Sequence, residues 1–221
     1  MFKRIPEKEI MEGEQATAYS NADFSEPHNL FVELISKLSM SRECSTILDI
    51  GIGDADIAIR LLKRFPKVHI TGFDGSLTML KYAEDKINKN QLAGKIDCRH
   101  GFIGDDLIND EKFDLVVSNS VLHHIKQTQS FWRLIKKATK EGGKFFIMDL
   151  LRPNSVDAAV ALVEQYASDE SAQLKKDFYN SLLAAYNLNE IEEQLQENSI
   201  LDFNIQQITD RHFIVFGSMF A

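Results

Sequence analysis

Residues 47–53, Ile47-Leu48-Asp49-Ile50-Gly51-Ile52-Gly53, decide the fold. A short apolar run ends in an acidic residue and then in two glycines, the pattern of a parallel strand handing over to a helix. Gly51 and Gly53 lack a Cβ, so the backbone can turn sharply there and approach a ligand closely. Asp54 is placed to cap the helix that follows. In an open α/β sheet, ligands bind outside the carboxyl ends of the strands where strand order reverses, and the first strand–helix turn normally lies there. A tight turn without a ligand is the plain structural alternative.

Outward from this turn, from about residue 45 to residue 150, apolar runs of strand length alternate with longer helical patterns, which argues for a parallel sheet. Segments 46–50, 68–73, 95–99, 113–118 and 144–150 are predicted strands, mostly β-branched or aromatic and too short for helices. Ile57, Ala58, Leu61 and Leu62 share one helical face, on a helix that must stop before Pro66. Phe131, Leu134, Ile135 and Ala138 form a second stripe, with Gly142-Gly143 as its expected end. Both stripes read as core. Residues 1–40 contain a predicted helix over 29–38, preceded by a polar stretch with Tyr19, Asp23 and Phe24. Residues 155–187 carry helix-like runs at 157–166 and 172–186, followed by a helix with Asn189 and Glu192 at capping-box spacing. Segments 203–208 and 212–216, split by Thr209-Asp210-Arg211, read as an antiparallel hairpin.

The chain has 221 residues, of which 44% are hydrophobic, enough for one α/β domain with a sizeable buried sheet. The expected division is a helical cap over 1–40, a ligand-binding core over 45–150, a helical insertion or lid over 152–188, and a helix with the hairpin over 189–221. With 25 basic and 33 acidic side chains the net charge is −8, which repels phosphate backbones and gives no footprint for nucleic acid. Cys44 and Cys98 are far apart and without paired spacing, so neither a disulfide framework nor a zinc site is readable from them. The start, Met1-Phe2-Lys3-Arg4-Ile5-Pro6, runs into charged residues, and no apolar stretch approaches the roughly 20 residues that span a bilayer. A cytoplasmic protein without a membrane span is expected. The pattern carries no information on oligomeric state.

Two details bear on the ligand. A dinucleotide site wants G-x-G-x-x-G with a pyrophosphate at the helix N-terminus. Here Asp56 stands at the third glycine position and Asp49 two residues before the first, so carboxylates meet a group they would repel. S-adenosylmethionine, with its sulfonium and ammonium, suits them better. Asp74 ends the second strand, about twenty residues after the turn, where a carboxylate can accept from both ribose hydroxyls. Any adenine nucleoside would use it.

Three segments together resemble class I S-adenosylmethionine-dependent methyltransferases: the opening turn, then Phe73-Asp74-Gly75-Ser76-Leu77-Thr78-Met79-Leu80, then Phe113-Asp114-Leu115-Val116-Val117-Ser118-Asn119-Ser120-Val121-Leu122-His123-His124. The motifs stand in the family's order over about residues 45–150. The sequence is similar to the small-molecule group that includes ubiquinone- and menaquinone-type enzymes. The resemblance implies a Rossmann-like α/β fold, with a seven-stranded, mostly parallel sheet, a C-terminal antiparallel hairpin and a helical lid. It also implies cofactor contacts: Asp49, Gly51 and Gly53 at the methionine end, Asp74 at the ribose, Ser76 and Met79 at the adenine side, Gly101 and Phe102 flanking adenine, and Asn119 near the transferable methyl group. Many relatives carry Asp where this chain has Phe102, so stacking or backbone contact would replace a hydrogen bond there. Ala55 stands where the usual third glycine would be.

Methyl transfer from a sulfonium has a good leaving group already, so holding nucleophile, carbon and sulfur in line is the protein's main task. A phenol, enol or amide acceptor also needs a base, and His123 and His124 follow the fourth strand on the ligand side; the alternative is that one packs the next helix. Asp149 and Arg152 follow the fifth strand, where Arg152 either meets an anionic substrate or pairs with a nearby carboxylate. Phe178, Tyr179, Ser181 and Tyr186 in the insertion, and Tyr19 before it, are candidates for the acceptor side, although aromatic residues at helical spacing are ordinary core. Arg211-His212 reads as a solvated turn. Competing functions are an RNA or protein methyltransferase, which needs an open surface; a cofactor-binding protein without methyl transfer; and, against the charge argument, a nicotinamide dehydrogenase.

Overall fold

The computed structural model describes residues 2–7, 10–38, 44–104 and 108–220. Along the chain come α1 (Glu14–Asn21), α2 (Ser25–Leu38), β1 (Thr46–Ile50), α3 (Asp56–Arg64), β2 (His69–Asp74), α4 (Leu77–Lys89), β3 (Ile96–His100) and β4 (Phe113–Asn119). A 3-10 turn over Leu122–His124 leads to α5 (Thr128–Ala138), β5 (Thr139–Leu150), α6 (Val156–Ala167), α7 (Ala172–Ala184), α8 (Leu188–Glu197), β6 (Phe203–Gln207) and β7 (His212–Ser218). The strands form one seven-stranded sheet in the order β3-β2-β1-β4-β5-β7-β6. All neighbours are parallel except β7, which runs antiparallel to both β5 and β6. Strand order reverses between β1 and β4, so the crevice outside their carboxyl ends is the expected ligand position.

Alternation along the strands assigns side chains to two cores. Ile47, Val117, Phe146 and Met148 meet α2, α3 and α4 on one face, and Leu48, Ile50, Val116, Phe145 and Ile147 meet α5 and α8 on the other. A third cluster, around Leu150, Leu162, Val163 and Leu182, holds α6 and α7 against the end of β5. α7 in turn packs against α1, with Gln15 Nε2 donating to Asp177 Oδ1 at 3.0 Å. The N-terminal helix and the insertion thus meet above the sheet's carboxyl edge.

Several local expectations are corrected. Part of the polar stretch before residue 25 is itself a helix, α1, which holds Tyr19 but ends at Asn21, before Asp23 and Phe24. The capping box is Asn187 and Glu190 rather than Asn189 and Glu192, because α8 begins at Leu188 and each side chain satisfies the other's backbone N–H at 3.0 Å. Gly142-Gly143 does not end α5: the helix stops at Ala138, the Thr139 hydroxyl donates to Ile135 O, and the glycines lie inside β5, where Gly142 N donates to Met219 O. Asp54 lies one residue before the N-cap of α3, accepting from Asp56 N at 3.2 Å and pairing with Lys86 Nζ at 2.6 Å.

The turn after β1 rests on a glycine not singled out in the sequence. Gly72, in the middle of β2, leaves room for Ile52: a Cβ there would lie 2.4 Å from Ile52 Cδ1 and 2.7 Å from Ile52 Cβ. Gly72→Val should therefore cost about 1–3 kcal/mol by overpacking, read from the urea midpoint. A loss under about 0.5 kcal/mol would show that the turn moves aside freely.

Candidate active site

The site is built at the switch point from backbone upward. Gly51 and Ile52 donate their N–H groups to Phe73 O at 2.9 and 3.1 Å, which folds the turn onto the end of β2. Gly51 has φ +75°, and a Cβ on it would lie 2.3 Å from Val121 Cγ2, so turn and β4 loop approach each other through glycine. Asp74 then locks the arrangement, its Oδ2 accepting from Gly53 N at 2.9 Å and its Oδ1 from Ser76 N at 2.8 Å. Burial pushes the Asp74 carboxyl above its ordinary range, against the pull of these two N–H groups. Ser76 caps α4, its hydroxyl accepting from Met79 N, and does not itself face open space.

A cavity of about 450 Å³ opens beside this lock. Gly51, Gly53, Asp74 and Met79 line one side, Gly101 and Phe102 another, and Asn119, Tyr19 and His124 the end nearest the insertion. Phe102 is 45% exposed, and its ring would lie 3.1 Å from a Cβ on Gly75, so the ring covers that glycine closely. A second cavity, about 210 Å³, shares Met11, Tyr19, Asn119, Ser120 and His124 with the first and continues under the insertion to His123, Phe178, Ser181 and His212. Ser120, between the two, holds a left-handed φ of +55°, a conformation that non-glycine residues adopt at some cost and that recurs at functional sites.

Two buried polar atoms near the first cavity lack protein partners, Asp49 Oδ2 and Asn119 Oδ1. Asp49 is nearly inaccessible beneath the turn, and burial, then the neighbouring Asp74 charge, push its pKa up to about 7. Leaving such acceptors unsatisfied is costly. Asn119 lines the first cavity while Asp49 lines neither, so an ammonium there could be met by Asn119 Oδ1 directly and by the buried Asp49 through its charge, and the residues present fit an ammonium-bearing cofactor.

His123 and His124 are buried in the 3-10 turn after β4, with ring centroids 4.2 Å apart. Asp149 lines neither cavity. It supports the turn from beneath, accepting from Leu122 N at 2.7 Å and sharing a hydrogen bond of 2.5 Å with His123 Nδ1. Burial opposes charge on both partners, yet mutual attraction holds the Asp149 pKa below and the His123 pKa above their ordinary values. Arg152 is likewise absent from the cavities: it is buried, pairs with Glu190 at 2.7 Å and donates to Ala185 O, so its carboxylate partner is internal. Tyr179 packs into the cluster under the insertion while its neighbour Phe178 faces the second cavity. Tyr186 donates to Ile125 O. His212 is buried and lines the second cavity, with its pKa lowered to about 4 by burial and then by Arg211, so the hairpin turn is not simply solvated.

The sequence singled out neither Met11 nor Glu7. They arrive on the N-terminal segment, and no local pattern marks their destination.

A parallel sheet with this strand order, its antiparallel β7, and a glycine turn at the switch point define the class I S-adenosylmethionine-dependent methyltransferase fold. The family model described as "Methyltransferase domain" matches residues 42–205, and the chain belongs to that family. It is 32% identical over 97 residues to a release factor glutamine methyltransferase of Rhodopirellula baltica, covering 42% of this chain and 33% of that protein. It is 28% identical over 129 residues to a 2-phytyl-1,4-naphtoquinone methyltransferase of Synechococcus elongatus, covering 58% of this chain and 55% of the relative. The matches thus span a third to just over half of these relatives. A solved S-adenosylmethionine-dependent methyltransferase from Aquifex aeolicus superposes with a TM-score of 0.71 at 18% identity, over 94% of this chain and 99% of that one, a likeness of fold.

Replacing Asp149 by Ala strands the buried His123 ring and the Leu122 N–H. The expected cost is about 3–5 kcal/mol in urea unfolding, the range for breaking a buried pair from one side. A loss below about 1 kcal/mol would remove Asp149 as the support of the turn.

Proposed function

We propose that the chain transfers the methyl group of S-adenosylmethionine to a small-molecule acceptor. The observation that carries this reading is the pair of joined cavities, one on the glycine turn and one under the insertion, meeting at Asn119, Ser120 and His124. The bound cofactor would supply an electrophilic methyl carbon with a thioether leaving group. Asp49 and Asn119 would hold its ammonium end and Asp74 its ribose hydroxyls. Met79, Gly101 and Phe102 would enclose the adenine, with Ser76 acting indirectly by fixing Met79 at the start of α4. The second cavity would orient the acceptor, with ring faces from Tyr19, Phe24 and Phe178 suited to a planar molecule. The relative named for a naphthoquinone supports that class. His123 and His124 stand where an acceptor proton would leave.

A small acceptor is favoured over a polymer because the second cavity is roofed by helices and its acidic lining, Asp23, Glu26, Glu170 and Asp177, faces a single Arg211. Among the described residues no helix is long and apolar enough to cross a membrane. Both cysteines are free, which suits the reducing cytoplasm we assign.

Calorimetry with S-adenosylmethionine should show binding, and Asp74→Ala should weaken it by roughly 10–100-fold, the worth of hydrogen bonds to a charged group. Absence of binding at about millimolar cofactor, with NAD binding instead, would overturn the reading. Because the Asp49 pKa stands near 7, the carboxyl becomes neutral as pH falls through that value. Affinity for the cationic cofactor should then drop by up to about tenfold per pH unit, and Asp49→Asn should flatten the profile. A flat wild-type profile would remove Asp49 from cofactor binding.

A further inference from the structure

Beside the junction of the cavities, His123 and His124 meet Glu7, a residue this reading does not use. Glu7 Oε1 is buried and accepts no hydrogen bond. It lies 3.5 Å from His123 Nε2 and 3.4 Å from His124 Nδ1, and one ligand atom from each of the three residues falls within 4.8 Å of the others. Ligand bonds of about 2.0–2.1 Å to a tetrahedral zinc-class ion imply edges of about 3.3–3.4 Å between ligand atoms, close to the two observed. A direct hydrogen bond would draw these atoms nearer.

The surroundings prepare the cluster. Asp149 holds His123 through Nδ1 and so turns Nε2 toward Glu7, the carboxylate–histidine relation that orients metal-bound imidazoles. Arg4 fastens the N-terminal segment to the same turn: its guanidinium donates to His123 O at 2.6 Å and Ile125 O at 3.3 Å, and lies 4.1 Å over the Tyr186 ring. Ile5 N donates to Leu183 O at 3.0 Å. Glu7 is therefore delivered to the histidines by a segment tied down just before it, at Arg4 and Ile5.

We propose that Glu7, His123 and His124 bind a divalent transition-metal ion of the zinc class, with a remaining coordination position open to the second cavity. Two imidazoles and one carboxylate are a recurrent ligand set for such ions with an open position. The site stands on its own geometry. Its role rests on the methyl-transfer reading: an acceptor oxygen bound in the open position would release its proton to solvent, and the resulting anion is the stronger nucleophile. The histidines then act as ligands and not as the base.

The test is metal binding, independent of turnover. Chelator-treated protein is titrated with Zn²⁺ by calorimetry and with Co²⁺ by visible spectroscopy, each with and without S-adenosylmethionine. Stoichiometric binding with the intense ligand-field bands of a tetrahedral cobalt site is expected. E7Q and H124A should each lose these bands, and D149N should weaken binding by about 10–100-fold. Circular dichroism on all the variants, and cofactor calorimetry on E7Q, verify their fold. E7Q lies outside the sheet and guards against loss of folding in the histidine variants. No stoichiometric binding by the wild-type chain, or binding undiminished in E7Q and H124A, overturns the metal site and leaves the cofactor result untouched. Failure of cofactor binding with metal binding intact would sink the methyl-transfer reading and keep the site.

Discussion

Asp74 accepts two backbone N–H groups at once, Gly53 from the turn after β1 and Ser76 from the start of α4, and the remaining site geometry follows from that pin. Without it the glycine turn would keep its bonds to the Phe73 carbonyl but lose its tie to the start of α4, which carries Met79 at the cavity wall. The pin needs close approach of three segments, which Gly51 against Val121 and Gly72 beneath Ile52 both provide by having no side chain. Burial raises the Asp74 pKa, and burial followed by the Asp74 charge raises that of Asp49, so positive charge beside the turn would favour the ionised form of both.

The second cavity's surroundings are built by another kind of interaction. Arg4 reaches across the chain to carbonyls at Ala184, His123 and Ile125, satisfying backbone groups at the end of α7 and around the 3-10 turn. Burial lowers the Arg4 pKa, and the bonds it makes offset that cost while tying the N-terminal segment to the end of α7 and to the 3-10 turn. Gln15 from α1 and Gln173 within α7 both donate to the Asp177 carboxylate, so α1 and α7 meet through a polar contact. The roof is held by hydrogen bonds to backbone and amides, and the sheet by hydrophobic layers.

Much of the fold was legible from residue pattern because it depends on local periodicity. Strands 46–50 and 113–118 were read almost to their ends, and the hairpin and the insertion helices were placed within a few residues. Misreadings arose where a local cue had two uses. Gly142-Gly143 resembles a helix stop yet lies inside β5, because Thr139 already pairs with Phe113 in the sheet. Asn189 and Glu192 have capping spacing, as do Asn187 and Glu190, and only the true start of α8 chooses between them. Arg152 and Tyr179 follow the right strand or lie on the right helix but turn inward, since the burial of a side chain depends on neighbours distant in sequence.

The sequence by itself determined the alternation of strands and helices, the glycine turn at the end of β1, the acidic residue ending β2, and with them a ligand site at the switch point. These are short-range consequences of backbone sterics and side-chain period. Tertiary structure alone decided that Glu7 reaches His123 and His124, that Asp149 supports a histidine and lines neither cavity, and that the hairpin's His212 lines the second cavity. Each of those meetings joins segments with no periodic relation, brought together by burying the faces of other elements.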